Sequence, residues 1–224
     1  MERIVLAWSG GKDSALALWE LTRRGGCEIA GVLTTVTEGY DRISMHGVRV
    51  ALLERQAEAL GLPLDRVAVT PGGDHEQYES RMRRTLLRLA EQGVTGVAFG
   101  DVRLEDLRRR REGKLAEVGM KGLFPLWHRD GRELATSFIE AGFHAVITCV
   151  DSEHLDRSFA GRAYDESLLR DLPAGVDPAG ENGEFHTFVH AGPVFAGPIP
   201  VKRGQIVLRE GRFWYCDLLP TEPA

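Results

Sequence analysis

The 224-residue chain is poor in the features that mark secreted, membrane-spanning or nucleic-acid-binding proteins. Its three cysteines, an odd and widely spaced set, predict no disulfide framework and favour a reducing compartment. It has no apolar run near the roughly 18 residues of a transmembrane helix, and no signal-peptide pattern at its N-terminus. A formal net charge of −5 gives no general attraction to nucleic acid or to anionic membranes. We therefore expect a cytoplasmic protein without nucleic-acid or membrane partners.

A short glycine-containing turn is the most informative feature that is present. Residues 9–14, called the glycine turn below, read Ser-Gly-Gly-Lys-Asp-Ser and stand between an apolar run at 3–8 and a helical pattern rich in alanine and leucine. A strand that breaks at two glycines and opens a helix directs several backbone N–H groups into one concavity, where the helix adds partial positive charge. Ser9, Lys12 and Ser14 add hydroxyl and ammonium donors, so the turn predicts an anion site.

The spacing within the glycine turn excludes the two better-known phosphate loops. A Walker A loop would need glycine at Leu6 and serine or threonine at Asp13, and a dinucleotide-binding turn would need a third glycine long before Gly25. What remains resembles the PP-loop of the ATP pyrophosphatases, which holds the pyrophosphate portion of ATP while a nucleophile attacks the α-phosphorus. The alternative is a plain turn in which Asp13 and Ser14 only cap the helix.

Strand and helix patterns alternate through the first 150 residues. Apolar and β-branched runs predict strands at 3–8, 28–36, 64–69, 96–101 and 145–150. Amphipathic runs between them predict helices at 15–21, 48–60, 74–92, 104–118 and 133–141. This alternation predicts an α/β fold, a doubly wound parallel sheet with helices on both faces.

The character of the chain changes after about residue 160. Closely spaced glycines and prolines, and a hairpin signal at Glu210-Gly211, predict short extended segments. We therefore divide the chain into an ATP-binding α/β domain, residues 1–125, and a smaller mixed α/β C-terminal region for substrate, residues 126–224.

In parallel sheets, ligands gather at the carboxyl ends of the strands, so the polar residues after each strand are site candidates. Near the end of the second strand, the backbone of Leu33 and Thr34 is placed to contact an adenine, as in related nucleotide folds. Arg42, Ser44 and His46 follow on a loop and are candidates for contacts with phosphate or substrate. The alternative is an ordinary loop in which Ser44 or His46 caps the next helix.

The fourth strand ends in Gly100-Asp101. The aspartate is placed to bind Mg²⁺ or to orient a substrate group, and capping of the following helix is the alternative. Residues 108–111, four arginines in that helix, are interpreted as a solvated face paired with neighbouring acidic residues rather than as a nucleic-acid patch.

Residues 180–187, called the acidic turn below, read Gly-Glu-Asn-Gly-Glu-Phe-His-Thr. Two glycines permit tight turning, so Glu181, Asn182, Glu184 and His186 can converge. They would offer carboxylates for ammonium or Mg²⁺, an amide for a carbonyl and an imidazole for proton transfer. The alternative is a polar turn that leads into a strand.

The chain resembles the diphthine–ammonia ligase family of PP-loop ATP pyrophosphatases. Four segments carry the resemblance in order: residues 9–14, 38–47, 100–101 and 180–187. The resemblance implies a Rossmann-like, HUP-type fold and an ATP-dependent enzyme with Mg²⁺. Family members adenylate the diphthine carboxylate on elongation factor 2, release pyrophosphate, and let ammonia displace AMP to form an amide. The chain departs from the family at Ala179, where cysteine is common.

The resemblance and the residue patterns together assign roles to individual residues. The predicted ATP contacts are Ser9, Gly10, Gly11, Lys12, Asp13, Ser14, Leu33, Thr34, His46 and Gly100. The predicted catalytic residues are Lys12, Asp101, Glu184 and His186. The predicted substrate contacts are Arg42, Ser44, Glu181, Asn182 and Thr187. Asp13 is the predicted Mg²⁺ ligand.

Other functions and partners stay open at this point. An amide synthetase for a different small carboxylate and a non-catalytic ATP sensor both remain. A sulfur transferase acting on tRNA is disfavoured by the scattered cysteines and the negative charge. We expect ammonia to arrive free or from a separate donor protein, and a homodimer is conceivable through the apolar 213–215 hairpin.

Overall fold

The computed structural model describes residues 1–39, 42–43, 47–70, 72 and 75–222. These contain the helices α1 (Lys12–Arg24), α2 (Val50–Leu60), α3 (His75–Glu91), α4 (Glu105–Ala116), α5 (Gly131–Glu140) and α6 (Glu166–Asp171). The strands are β1 (Glu2–Ala7), β2 (Cys27–Thr37), β3 (Arg42–Ile43), β4 (Leu64–Val69), β5 (Gly96–Ala98), β6 (Lys121–Leu123), β7 (His144–Asp151), β8 (Phe185–Ala191), β9 (Val201–Arg209) and β10 (Phe213–Pro220). Every helix and strand predicted before residue 151 is present, with ends that differ by a few residues.

A mostly parallel sheet forms the first half of the molecule. β1 pairs in parallel with β2 and β5, β4 pairs with β2, and β6 pairs with β5. The short β3 joins the end of β2 in the antiparallel direction. Because parallel strands point the same way, the carboxyl ends of β1, β2 and β5 lie at one edge of the sheet. The predicted α/β fold class is confirmed.

Helices cover both faces of this sheet. Ile4 and Leu6 of β1 belong to a core that includes α1 and α2, whereas Val5 between them belongs to a second core that includes α3 and α4. Side chains of a strand alternate between its faces, so a strand buried on both faces must be apolar throughout. The unbroken apolar run at 4–8 follows from this double burial.

A second sheet, antiparallel throughout, has the order β8-β7-β10-β9. The strand predicted at 145–150 lies here, as β7, so assigning it to the parallel sheet was wrong. All of β7 except His144 is buried, and an apolar run of this kind does not reveal whether its neighbours are parallel or antiparallel. The three-residue β6, too short to predict, takes the corresponding place in the parallel sheet.

Helix α1 joins the two halves. Its residues 14–18 are all buried, and one hydrophobic core contains residues of α1 and of both sheets. The β9–β10 hairpin turns as predicted at Glu210 and Gly211, whose φ angles are 53° and 66°. The three cysteines are all unpaired. None of the described helices is both long and apolar enough to cross a membrane.

Candidate active site

The glycine turn begins where β1 ends. The backbone N–H of Trp8 still donates to Leu33 O of β2 at 2.7 Å, and the chain then turns into α1. Gly10 has φ +76°, and a Cβ at this position would lie 2.7 Å from Gln56 Oε1. A side chain would therefore be both strained and obstructed, which explains glycine here.

The N-terminus of α1 has no side-chain cap from Gly11, the residue at the capping position. The hydroxyl of Thr187, on β8, supplies it from the other half of the chain, since Lys12 N donates to Thr187 Oγ1 at 3.0 Å. Gly11 N donates to Ser9 Oγ at 3.2 Å, and Ser14 Oγ donates to Gly11 O at 2.9 Å. The glycine turn and the acidic turn are therefore in direct contact.

Gln56, which the sequence analysis missed, connects this contact to α2. Its Oε1 accepts from Trp8 Nε1 at 2.8 Å, and its Nε2 donates to Gly10 O at 3.0 Å and to Val189 O at 2.6 Å. The side chain is fully buried and its amide atoms make three hydrogen bonds. A single glutamine on the apolar face of a predicted helix was the available signal, because a buried amide needs such partners.

Lys12 and Asp13 form a close ion pair at the start of α1. Lys12 Nζ donates to Asp13 Oδ1 at 2.6 Å and Oδ2 at 2.8 Å. The lysine side chain is only 7% exposed and the aspartate is 34% exposed, so the carboxylate is the outer partner. The turn thus carries a buried positive charge whose counter-ion faces solvent.

Gly100 brings Asp101 against the glycine turn. A Cβ at Gly100 would lie 2.8 Å from the carbonyl carbon of Asp13, so only glycine permits this approach. Arg111 Nη1 donates to Asp101 Oδ2 at 2.6 Å, and its guanidinium lies over the Phe99 ring. Burial raises the pKa of Asp101, the charge of Arg111 opposes this rise, and the charge of Asp13 adds to it.

The arginine run of α4 is paired with acidic groups, in line with its interpretation. The pairs are Arg108–Glu112, Arg109–Glu105, Arg110–Glu79 and Arg111–Asp101. The last pair differs from the interpretation, because Arg111 turns inward to the strand edge rather than outward to solvent.

Glu184 of the acidic turn is buried with its charge satisfied. Its Oε1 accepts from Asp177 N at 3.0 Å and from Asn182 Nδ2 at 2.8 Å, and its Oε2 accepts from Asn182 N at 2.9 Å. Burial alone would raise the pKa of Glu184, but these hydrogen bonds outweigh it and lower the pKa. The carboxylate therefore closes the turn.

Glu181 has the opposite electrostatic environment. Burial, and then the nearby charge of Asp13, raise its pKa to about 7, while Lys12 opposes the rise. Asp177 and Asp101 add smaller effects in the same direction as Asp13. The glutamate therefore lies within electrostatic reach of the glycine turn and is divided between its neutral and charged forms near neutral pH.

His186 and Tyr164 complete the surroundings of Lys12. Burial and the charge of Lys12 lower the pKa of His186, which keeps the imidazole neutral at pH 7. Tyr164 Oη donates to Pro178 O at 2.6 Å. Lys12, Asp13, Tyr164 and Ala179 lie around a narrow depression, whose other walls are apolar side chains of α1 and α5.

The sequence matches family profiles along most of its length. The diphthamide synthase N-terminal domain matches residues 1–122, and the diphthamide synthase C-terminal domain matches residues 130–218. The chain belongs to the diphthamide synthase family. It is therefore an enzyme, and the resemblance seen in the four sequence segments is confirmed.

Curated relatives carry the name diphthine–ammonia ligase. The zebrafish (Danio rerio) protein is 27% identical over 229 residues, which cover 92% of this chain and 89% of the relative. The human protein is 24% identical over 227 residues, with 92% and 85% covered. The Schizosaccharomyces pombe protein is 26% identical over 219 residues, which cover 89% of this chain but 36% of that longer relative.

The remaining candidates have other contacts or lie outside the described residues. Arg42 Nη1 donates to Asp217 Oδ1 at 2.9 Å and to Gly47 O at 2.6 Å. The arginine side chain is therefore bound to β10. Thr34 is buried within β2, beyond Leu33, the last partner of β1. Ser44 and His46 lie outside the described residues.

Proposed function

We propose that this enzyme adenylates the diphthine carboxylate of elongation factor 2 with ATP, releases pyrophosphate, and then couples ammonia to form the amide, releasing AMP. The contact that carries the proposal is the hydrogen bond from Lys12 N to Thr187 Oγ1, which joins an ATP-pyrophosphatase turn to the acidic turn. The family membership and the name shared by the relatives support the same reaction.

ATP fits the glycine turn as a substrate. The backbone N–H groups of Gly11 and Lys12 are engaged within the protein, so the phosphates would be held by the other amides of the turn and by Lys12 Nζ. The α1 N-terminus adds partial positive charge. A carboxylate is a poor electrophile. When its oxygen attacks the α-phosphorus of ATP, the bond to pyrophosphate breaks and an acyl–AMP anhydride forms, whose acyl carbon is reactive. Lys12 stabilises the charge that gathers on departing pyrophosphate.

Mg²⁺ fits as an ion that arrives with the phosphates. Among the described residues, no group of three or more His, Cys, Asp or Glu side chains is arranged to hold a metal by itself. Mg²⁺ is commonly bound by one or two carboxylates together with substrate phosphates. We assign Mg²⁺ to the carboxylates of Asp13 and Asp101. The two lie close enough for the charge of Asp13 to raise the pKa of Asp101. When bound, the ion would neutralise negative charge on the phosphates.

Ammonia requires a group that can take a proton. Ammonium must lose a proton before its nitrogen can attack the acyl carbon. The amide then forms as the C–O bond to AMP breaks, and the nitrogen gives a second proton to the departing AMP phosphate or to water. We assign the proton acceptor to Glu181, since a carboxyl group with a pKa of about 7 is matched to this task at neutral pH. Glu184, with three hydrogen bonds to its oxygens, would position the turn instead of reacting.

The proposal is tested by product analysis with ATP, Mg²⁺, ammonium and a panel of carboxylates that includes elongation factor 2 bearing diphthine. We expect AMP and pyrophosphate only when the diphthine-bearing factor is present. AMP formed with a different acid would make the enzyme an amide synthetase for that acid. ATP binding without AMP across the panel would favour a sensor, and release of ADP and orthophosphate would contradict the mechanism.

Four further expectations from the sequence stay predictions. They are the division of the chain between residues 125 and 126, the cytoplasmic location, the homodimer and the absence of nucleic-acid partners. Size-exclusion chromatography with light scattering would decide the oligomeric state.

A further inference from the structure

A buried amide side chain holds the glycine turn from its inner side. Gln56 of α2 is 0% exposed and lies on a helix face whose other buried residues are apolar. A buried polar group costs free energy unless it is hydrogen-bonded, so its partners indicate what the side chain does. The partners of Gln56 all belong to parts of the chain outside α2.

These partners fix the orientation of the amide. Gly10 O and Val189 O can only accept hydrogen bonds, so the atom that contacts both, at 3.0 and 2.6 Å, is the donor Nε2. Trp8 Nε1 can only donate, so the atom 2.8 Å from it is the acceptor Oε1. An amide turned over would lose all three bonds. The surroundings therefore admit one orientation of Gln56.

The Gly10 carbonyl sets the direction of the peptide that follows it. Gly10 O accepts from Gln56 Nε2 and also from Val189 N, at 2.9 Å. In a trans peptide the carbonyl and the next N–H point in opposite directions. Gly11 N–H therefore points away from Gln56, and it donates to Ser9 Oγ at 3.2 Å. The bonds to Gly10 O thus orient both the backbone and the serine hydroxyl on the side of the turn opposite Gln56.

Glycine permits this conformation but does not enforce it. Gly10 has φ +76°, a value that glycine adopts about as readily as negative φ angles and that other residues rarely adopt. Gly11 follows directly, so the turn has more backbone freedom to lose than two ordinary residues would have. The two hydrogen bonds to the Gly10 carbonyl, from α2 and from β8, restrict that freedom.

Gln56 also holds the edge of β8 against the turn. β8 is the outermost strand of its sheet, and both backbone groups of Val189 face the turn: its N–H donates to Gly10 O, and its carbonyl accepts from Gln56. Two residues earlier, Thr187 Oγ1 accepts from Lys12 N. The glycine turn is therefore enclosed between α2 and β8, and Gln56 binds to both sides of the contact.

We propose that Gln56 is a positioning residue for ATP: through the Gly10 carbonyl it holds the glycine turn in the conformation that receives the phosphates. The inference rests on the proposed function, in which ATP binds at this turn, and it adds α2 to the elements that determine ATP affinity. A binding site that is already ordered loses less conformational entropy when its ligand arrives, so this restraint strengthens ATP binding.

Isothermal titration calorimetry with ATP and Mg²⁺ tests the inference without any acceptor substrate. Gln56→Met nearly keeps the size of the side chain but removes its three hydrogen bonds, and the Kd for ATP should rise ~10-fold. Gln56→Asn keeps an amide that is one methylene shorter and cannot reach all three partners, so a smaller rise in Kd is expected. This second variant decides the question if Gln56→Met does not fold.

Trp8→Phe is the matched control. It removes the donor to Gln56 Oε1 and disturbs the same buried cluster, but it leaves Gln56 Nε2 bound to Gly10 O. Denaturant unfolding should show a loss of stability at least as large as that of Gln56→Asn. The Kd of Trp8→Phe for ATP should nevertheless stay within about twofold of the wild-type value.

Steady-state kinetics separate positioning from a general loss of folded enzyme. A partly unfolded population lowers the apparent kcat and leaves every KM unchanged. Loss of positioning should instead raise the KM for ATP ~10-fold in Gln56→Met, while the KM for ammonium changes by less than about twofold.

Four results would overturn the inference or its basis. Unchanged ATP affinity in Gln56→Met, or in Gln56→Asn where only that variant folds, rejects the inference. Equal weakening by Trp8→Phe rejects a specific role for the bond to the Gly10 carbonyl. A wild-type enzyme that does not bind ATP rejects both the inference and the proposed function. A wild-type enzyme that binds ATP but forms no AMP with diphthine-bearing elongation factor 2 rejects only the proposed reaction, and calorimetry still decides the role of Gln56.

Discussion

The glycine turn and the acidic turn meet in one site but are shaped by different forces. Backbone geometry shapes the glycine turn: Gly10 has a positive φ, and Gly100 allows the chain to pass against Asp13. The acidic turn also has two glycines with positive φ angles, Gly180 and Gly183, but a buried carboxylate closes it, because Glu184 gathers hydrogen bonds from Asp177 and Asn182. Both turns therefore need glycine, and only the second depends on a buried carboxylate that accepts hydrogen bonds from its own turn.

Within the acidic turn, two glutamates three positions apart have opposite properties. Hydrogen bonds outweigh burial and lower the pKa of Glu184, whereas burial and the charge of Asp13 raise the pKa of Glu181 to about 7. The same residue type thus serves two purposes, which we expect to be structural for Glu184 and chemical for Glu181. Substitutions can test the different roles of the two turns and of the two glutamates. They follow from the largest expected effect to the smallest.

The largest effect is expected for Lys12→Ala. Removing the buried ammonium takes away the cation that faces departing pyrophosphate, and AMP formation should fall by ~10²–10³-fold. Rates of AMP release under saturating ATP measure this. Lys202→Ala, which removes an exposed lysine from β9, is the control. Equal rates for Lys12→Ala and the wild type would contradict the assigned role.

The next effect concerns Glu181 and pH. Its pKa rises from the ordinary 4.5 to about 7 on folding, so between these values the folded chain keeps a proton that the unfolded chain has released. Its contribution to stability is therefore intact below about pH 4.5 and is lost as the pH rises toward 7, with an upper bound of about 3 kcal/mol at about 1.4 kcal/mol per unit. Denaturant unfolding from pH 4 to 8 should show this slope, and Glu181→Gln should lack it.

The same variant has a kinetic outcome. If Glu181 accepts the proton of ammonium, Glu181→Gln should slow amide formation and remove the limb of the rate profile near pH 7. An unaltered pH profile in Glu181→Gln would count against this role while leaving the stability measurement to stand by itself.

A smaller loss of stability is expected for Glu184→Gln. The neutral amide would place an NH₂ group among the donors from Asp177 and Asn182, at a cost of about 2 kcal/mol in the free energy of unfolding. Glu181→Gln is the matched control, because it should not destabilise the protein at pH 8. Similar destabilisation by both substitutions would remove the distinction between the two glutamates.

The smallest effect is expected for Thr187→Val. It removes the hydroxyl that accepts from Lys12 N and keeps the shape of the side chain, so about 1 kcal/mol should be lost in cap stability and in ATP binding. Thr187→Ser keeps the oxygen and should behave like the wild type. Isothermal titration calorimetry with ATP would compare them. A full-affinity Thr187→Val enzyme would show that the two turns are energetically independent.

The fold was predictable where local patterns are regular. Periodicity identified β1, β2, β4 and β5 but not the two-residue β3, and the breaks at Gly10 and Gly11 marked the start of α1. The assignment of β7 to that sheet was wrong, because the apolar run of a buried strand is the same in both sheets. β6 has three residues, too few for any periodicity.

The sequence predicted which residue types belong to the site better than it predicted which residues contact each other. Lys12, Asp101, Glu181 and Glu184 were selected for their chemistry and position, and their roles stay predictions. Gln56, Arg111 and Asp217 were not singled out as site residues. Their partners are distant in the sequence, so neither spacing nor composition points to those contacts.

The sequence by itself determined the glycine turn, the strand and helix alternation before residue 150, and the family, because these depend on local order along the chain. Only the tertiary structure decided that Thr187 caps α1, that Glu181 and Glu184 have opposite pKa shifts, and that Gln56 binds both Gly10 and Val189. Such contacts arise because both sheets pack against α1, and burial and charge then act between residues that the sequence keeps far apart.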